Sequence, residues 1–195
     1  MESILYIIIG YLIGSIPTAL IVSKAKNIDI RQHGSGNIGG TNTFRVLGKK
    51  AGYLVISVDI LKGIIPTAIG LYFGGELYAV LAGISASIGH SFSIYVRFKG
   101  GKSVATSAGV MAVLNPLALI FGVAVFLLIL LFTKYVSLSS LIAAVSVVLF
   151  VIFLEESSSI KYATLFLAAF ISLRHYTNIN RLVKGNENKA FQKKK

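Results

Sequence analysis

The chain has 195 residues, 55% hydrophobic and 13% charged, with a mean hydropathy of +0.79, where a soluble domain carries about 25% charged residues. That balance excludes a soluble globular domain, and zero cysteines exclude disulfides, thiolate metal sites and a cysteine nucleophile. The formal net charge of +12 would suggest nucleic acid in a soluble chain, but in a membrane chain Lys and Arg first report orientation, so no nucleic-acid partner is expected.

Residues 3–23, 77–96, 103–133 and 135–154 hold no Asp, Glu, Lys or Arg, and a bilayer crossing needs about 20 largely apolar residues. The first run follows only Met1 and Glu2, lacks a basic leader and a cleavage site, and meets Lys24 and Lys26 at its end. It reads as a retained span with its N-terminus outside. Pro17 within it deprives the Ile13 carbonyl of its helical donor, which predicts a kink whose carbonyl is satisfied by Ser15, Thr18 or a neighbouring helix. A second span covers 51–73 and carries Asp59 and Lys62, three apart on one face and so expected to pair. A third covers 77–95 and contains His90 near its inner end, placed either to contact ligand or to satisfy a carbonyl.

Residues 103–133 are too long for one span, at roughly 46 Å of helix. Asn115-Pro116 is a turn dipeptide that divides them into 103–114 and 117–133, followed by spans at 138–154 and 158–173. The expectation is an all-α polytopic membrane protein with seven transmembrane helices, the fourth short or re-entrant, the N-terminus outside and the C-terminus cytoplasmic. Seven crossings put 17 of the 19 basic residues inside, and Glu2, Glu76, Glu155 and Glu156 outside. Six would move Lys134 and every basic residue from Arg174 onward outside, against the positive-inside tendency. One transmembrane domain over 1–183 and a basic cytoplasmic tail over 184–195 complete the organisation.

Polar chemistry gathers in the inner segments. Residues 31–45 formally match G-x-G-x-x-G at Gly34, Gly36 and Gly39, but no strand precedes them and the acid twenty residues on, Asp59, lies inside a span. What remains is glycine backbone able to approach an anion, neutral partners in Ser35, Asn37, Thr41 and Asn42, and Arg45 as a bidentate phosphate binder, against the plainer reading of a flexible surface loop. Residues 97–103 place two glycines and Lys102 before a helix start, where free amides and the helix dipole favour an anion, although Val96 stands where a P-loop needs glycine. Residues 174–181 concentrate Arg174, His175, Asn178, Asn180 and Arg181, which equally suit a capped helix end. Ser137 fits either an N-cap or a site role. Together these clusters describe a cytoplasm-facing basin for phosphorylated ligands. No G-x-S-x-G occurs, none of the three histidines is followed five positions on by aspartate, and metal ligands are few and scattered, so a metal-independent reaction without cofactor is expected.

Five ordered motifs then carry a resemblance: Gly34-Ser-Gly-Asn37 with Thr41-Asn42 and Arg45; Asp59-Ile-Leu-Lys-Gly63; Phe98-Lys-Gly-Gly-Lys102 with Val104-Ala-Thr106; Tyr135-Val-Ser-Leu-Ser139; and Arg174-His175 with Asn178-Ile-Asn-Arg-Leu182. The sequence resembles the PlsY family of bacterial membrane glycerol-3-phosphate acyltransferases. Two positions depart from the family's usual residues. Gly40 replaces alanine and is expected only to loosen its loop; Ser103 replaces glycine and would be strained by about 1–2 kcal/mol were its φ positive.

The resemblance implies a multi-pass protein of the bacterial inner membrane with its active site facing the cytoplasm. It implies transfer of an acyl group from acyl phosphate to the 1-hydroxyl of glycerol-3-phosphate, giving lysophosphatidic acid and phosphate with no acyl-enzyme. On that reading Ser35, Gly36, Asn37 and Ser137 cradle acyl phosphate, while Arg45, Lys102, His175, Asn180 and Arg181 bind the glycerol-3-phosphate phosphate. Arg174 and Asn178 support them, Thr41, Asn42 and His90 contact substrate, and membrane lipid surrounds the acyl chain. The rival reading is a transporter or exchanger of organic phosphates.

Overall fold

A computed structural model describes residues 2–155 and 157–190. Glu156 and residues 191–195, on which part of the charge map and of the tail expectation rest, lie outside the described residues. Ten α-helices occur among the described residues: α1 (Glu2–Ser15), α2 (Thr18–Lys24), α3 (Gly40–Leu47), α4 (Lys49–Gly74), α5 (Glu76–Ser91), α6 (Val104–Leu114), α7 (Pro116–Thr133), α8 (Val136–Leu154), α9 (Ser158–Arg174) and α10 (Tyr176–Val183). Single 3₁₀ turns occupy Ile30–Gln32 and Ile94–Val96. Five helical stretches are long and apolar enough to cross a membrane: Ser3–Lys24, Lys49–Gly74, Glu76–Val96, Pro116–Thr133 and Val136–Leu154. Helix α6, at 11 residues, spans only about 16 Å, as its sequence led one to expect.

The chain forms two compact units, residues 1–114 and 115–195. In the first, α5 lies against α1 and α4, and α4 against α6 and α3. Side chains are nearly absent at these crossings: Gly10 and Gly14 of α1 meet the backbone of Ala82 and Ala86 on α5, while Gly63 of α4 meets Thr106 of α6 and Gly109 of α6 meets Ile60 of α4. Close backbone approach of this kind is how helices gain contact where lipid supplies no hydrophobic drive. Gly40 belongs to the same pattern. It lies against the Ile56 side chain on α4, where a methyl group would collide, so it closes α3 onto α4 rather than loosening a loop.

At Pro17 the first span breaks instead of bending. Helix α1 ends at Ser15 and α2 begins at Thr18. The Ile13 carbonyl accepts from the Ile16 amide at 3.3 Å, and the Ser15 carbonyl accepts from Ser93 Oγ. The Ile13 and Ser15 carbonyls at the break thus find donors, as burial in an apolar medium demands.

In the second unit α7 and α8 pair, α8 also meets α9, and α10 returns against α8 and α9. Asn115 caps α7 by accepting from the Ala118 amide at 2.8 Å, with Pro116 in the first turn, so the expected turn dipeptide starts a helix with the chemistry an N-cap needs. The Asn115 amide also donates to Glu155 at 2.8 Å.

Candidate active site

The loop before α3 is built, not flexible. Ile30 and Ile38 are buried with Ala19, Leu20 and Val55, which pins residues 30–38 to the unit. Between them Gly34 and Gly36 adopt φ of +66° and +72°, a left-handed backbone that glycine enters freely. Asn42, 1% exposed, accepts from the Ser35 amide at 2.9 Å and donates to the carbonyls of His33 at 3.0 Å and Ile30 at 3.3 Å. Asn42 was expected to contact substrate. Its amide bonds three backbone groups that need partners at this sharp turn, within the segment that carries Ser35, Gly36 and Asn37. Thr41 and Arg45, one helical turn apart, share a face of α3 and are half-buried. Outside this turn, Arg31 pairs with Asp29 at 2.6 Å, and the hydrogen bond from Arg31 holds the Asp29 carboxyl down to about 2.

The segment joining α5 to α6 reaches the same end of the unit, since Val96 packs against the Ile30 and Ile38 cluster. Its geometry differs from expectation at the glycine pair. The Gly100 amide donates to the Ser91 carbonyl at 2.9 Å and the Gly101 amide to the His90 carbonyl at 3.0 Å, so both cap the end of α5. Lys102 and the first turn of α6 follow directly. The glycines are needed for closeness, as a β-carbon at either would strike His90 or Ser91. Ser103 has φ of +61°, meeting the condition under which strain was expected.

Beneath this segment lies a buried charge cluster. Lys62 donates to Asp59 at 2.6 Å with both side chains 3% exposed, the pairing expected of residues three apart in an apolar helix. His90 Nδ1 lies 3.8 Å from Asp59, and the ring rests on Gly101. His90 was expected either to contact ligand or to satisfy a carbonyl; its ring lies between Asp59 of α4 and Gly101.

In the second unit a carboxylate occupies the centre of the polar cluster. Glu187 accepts from Ser137 Oγ at 2.8 Å, Asn178 Nδ2 at 2.6 Å and Arg181 Nε at 2.8 Å. Burial pushes the Glu187 carboxyl up, but the hydrogen bonds from Arg181, Asn178 and Ser137 and the Arg181 charge outweigh it and leave it below its ordinary value. The same strap is fastened where the Ala190 amide donates to the Lys134 carbonyl at 2.8 Å and Lys189 sits 5.8 Å over the Tyr135 ring. Residues 184–190, expected as a plain basic tail, are therefore docked on the unit. Sequence reading missed Glu187; its signal was an acid standing alone among basic residues, just after Asn178 and Arg181.

His175 is 3% exposed, and its Nδ1 lies 2.8 Å from the Ile171 carbonyl. A carbonyl only accepts, so Nδ1 carries the proton in this contact. Arg174 is half-buried, and Asn180 is exposed, apart from the Glu187 cluster.

Each unit thus gathers a set of polar side chains in a chain otherwise made of apolar helices. The family model for glycerol-3-phosphate acyltransferase matches residues 4–185. The chain belongs to the glycerol-3-phosphate acyltransferase family. Relatives bearing that name include one from Bacillus subtilis, 49% identical with 95% of this chain and 96% of the relative covered. Another, from Geobacillus kaustophilus, is 46% identical with 95% of each covered. Among solved structures, PlsY, an integral membrane glycerol 3-phosphate acyltransferase, is similar in its glycerol 3-phosphate form, with a TM-score of 0.94 and 38% identity over 97% of this chain and 96% of that one. Its lysophosphatidic acid form is similar with a TM-score of 0.92 and 37% identity, covering 99% and 97%. The match of this acyltransferase family with both units sets the transporter reading aside.

Proposed function

We propose that this membrane acyltransferase takes its acyl group from acyl phosphate and delivers it to the 1-hydroxyl of glycerol-3-phosphate in one direct step. The hydroxyl oxygen forms a bond to the acyl carbonyl carbon, the bond from that carbon to the phosphate oxygen breaks, and inorganic phosphate leaves with the hydroxyl proton. Acyl phosphate is already activated, so the protein's task is to hold two anions together and neutralise the charge that develops. Ser35, Gly36, Asn37 and Ser137 serve the acyl phosphate and its oxyanion. Arg45, Lys102, His175, Asn180 and Arg181 serve the glycerol-3-phosphate phosphate, with Arg174, Asn178 and Thr41 nearby in sequence. Residues 1–183 act as one acyltransferase domain.

The observation that carries this reading is the Glu187 cluster. Ser137, Asn178 and Arg181 already gather three donors around an oxyanion, the donor set a substrate anion needs. In the same reading the chain crosses the bacterial inner membrane seven times, α6 being the short crossing, with its basic segments and both polar clusters on the cytoplasmic side. The positive-inside bias supports that orientation. The relatives named above supply glycerol-3-phosphate as acceptor and lysophosphatidic acid as product. Detergent-purified protein supplied with glycerol-3-phosphate is expected to make lysophosphatidic acid from palmitoyl phosphate and none from palmitoyl-CoA. Equal use of the thioester would overturn the donor assignment.

A further inference from the structure

Lys102 is followed by a residue whose backbone conformation L-residues resist. Five non-glycine residues among those described have positive φ, namely Asn27, Arg97, Phe98, Ser103 and Lys134, and three of them fall between residues 97 and 103. Ser103, next after Lys102, has φ of +61° and is 1% exposed. In that conformation its β-carbon crowds its own carbonyl group, so the surroundings must hold it there.

What holds it is a pair of buried hydroxyls. Ser103 Oγ donates to the Ser87 carbonyl on α5 and lies 2.9 Å from Ser91 Oγ. Ser91 Oγ in turn donates to the Gly101 carbonyl at 3.1 Å. Each hydroxyl has one proton. With the Ser103 proton given to Ser87, the Ser91 proton is shared between Gly101 and Ser103. Ser87 and Ser91 are both fully buried, where an unmade bond costs the full desolvation of its group. The residues on either side of Lys102 are thereby tied to the end of α5, Gly101 through its carbonyl and Ser103 through its side chain.

We propose that Ser91 and Ser103 are positioning residues for Lys102, a hydroxyl clasp that fixes the main chain on both sides of this lysine. The proposal rests on the reading that Lys102 binds the phosphate of glycerol-3-phosphate. A backbone already ordered loses less freedom when the anion binds, so the clasp acts on acceptor affinity rather than on turnover.

The test uses the full chain purified in detergent, with palmitoyl phosphate saturating. Ser91→Ala and Ser103→Gly are each expected to raise KM for glycerol-3-phosphate about three- to tenfold, the effect of one lost hydrogen bond, with kcat and the KM for palmitoyl phosphate unchanged. Ser103→Gly removes the backbone strain together with the hydroxyl, so it is expected to lose affinity while its thermal midpoint holds, which a purely structural role would not produce. The double variant is expected to be no worse than the weaker single, because the two serines share one network. In a Lys102→Ala background, the directly measured Kd for glycerol-3-phosphate is expected not to change further on adding Ser91→Ala. Unchanged KM in both single variants overturns the clasp, as does a further loss of affinity in the Lys102→Ala background. Wild-type affinity in Lys102→Ala alone contradicts instead the reading on which the proposal rests.

Discussion

Seven hydroxyls in the helices of this protein are satisfied one turn back in their own helix. Thr43, Thr67, Thr133, Ser139, Ser140, Thr164 and Ser172 each return their proton to the carbonyl four residues earlier, the cheapest solution in an apolar medium. Ser137 departs from this habit and reaches the Glu187 carboxylate. The carboxyl's ordinary value is 4.5 and the folded value is lower, so its contribution to stability is full above about 4.5 and disappears as pH falls through the folded value. Glu187→Gln is expected to lower the thermal midpoint at about pH 7, at a cost of about 1–3 kcal/mol, while the gap between variant and wild type narrows below about pH 4. A gap independent of pH would show that the charge contributes nothing there. At this scale the sequence was informative wherever partners are neighbours in the chain, as for Asp59 with Lys62 or Asn115 with the α7 amides. It was silent where a docked strap brings partners together, as for Ser137 with Glu187, 50 residues apart.

The long helices were legible because hydropathy over some twenty residues is a strong signal, and α4, α5, α7, α8 and α9 lie within a few residues of their expected places. Helices α3 and α10 were not anticipated. Each has only eight residues, and both are amphipathic segments whose polar faces had been read simply as loop chemistry. The break at Ser15 to Thr18 exceeds the expected kink because the donor that completes it, Ser93, comes from a distant segment. Packing between elements depends on missing side chains. Gly63 on α4 and Gly109 on α6 each face the other helix's backbone directly, so a larger residue must push the helices apart. Gly63→Leu is expected to destabilise the protein by about 1–3 kcal/mol or more, read as a lower thermal midpoint in detergent, and to lower activity with it, since α6 starts next to Lys102. An unchanged midpoint would contradict the close approach of these helices.

Across the whole molecule, low charge and high hydropathy coexist with polar residues gathered into a few short segments. That distribution suits a membrane acyltransferase working on the two anions proposed above. It was visible in the sequence as motifs, but the division of labour within each motif was not. Asn42 bonds the backbone of its own loop and His90 lies 3.8 Å from Asp59, contacts that depend on which way each side chain faces after folding. The central claim is that charged groups holding glycerol-3-phosphate beside an activated acyl donor account for the rate. It is tested most directly by inorganic phosphate release from palmitoyl phosphate by the purified protein, with and without glycerol-3-phosphate, in wild type and Lys102→Ala. The account predicts release that requires glycerol-3-phosphate, equals lysophosphatidic acid mole for mole, and falls about a hundredfold or more in kcat/KM in the variant, about 3 kcal/mol of transition-state stabilisation. Phosphate release without the acceptor, or wild-type turnover in Lys102→Ala, would contradict it.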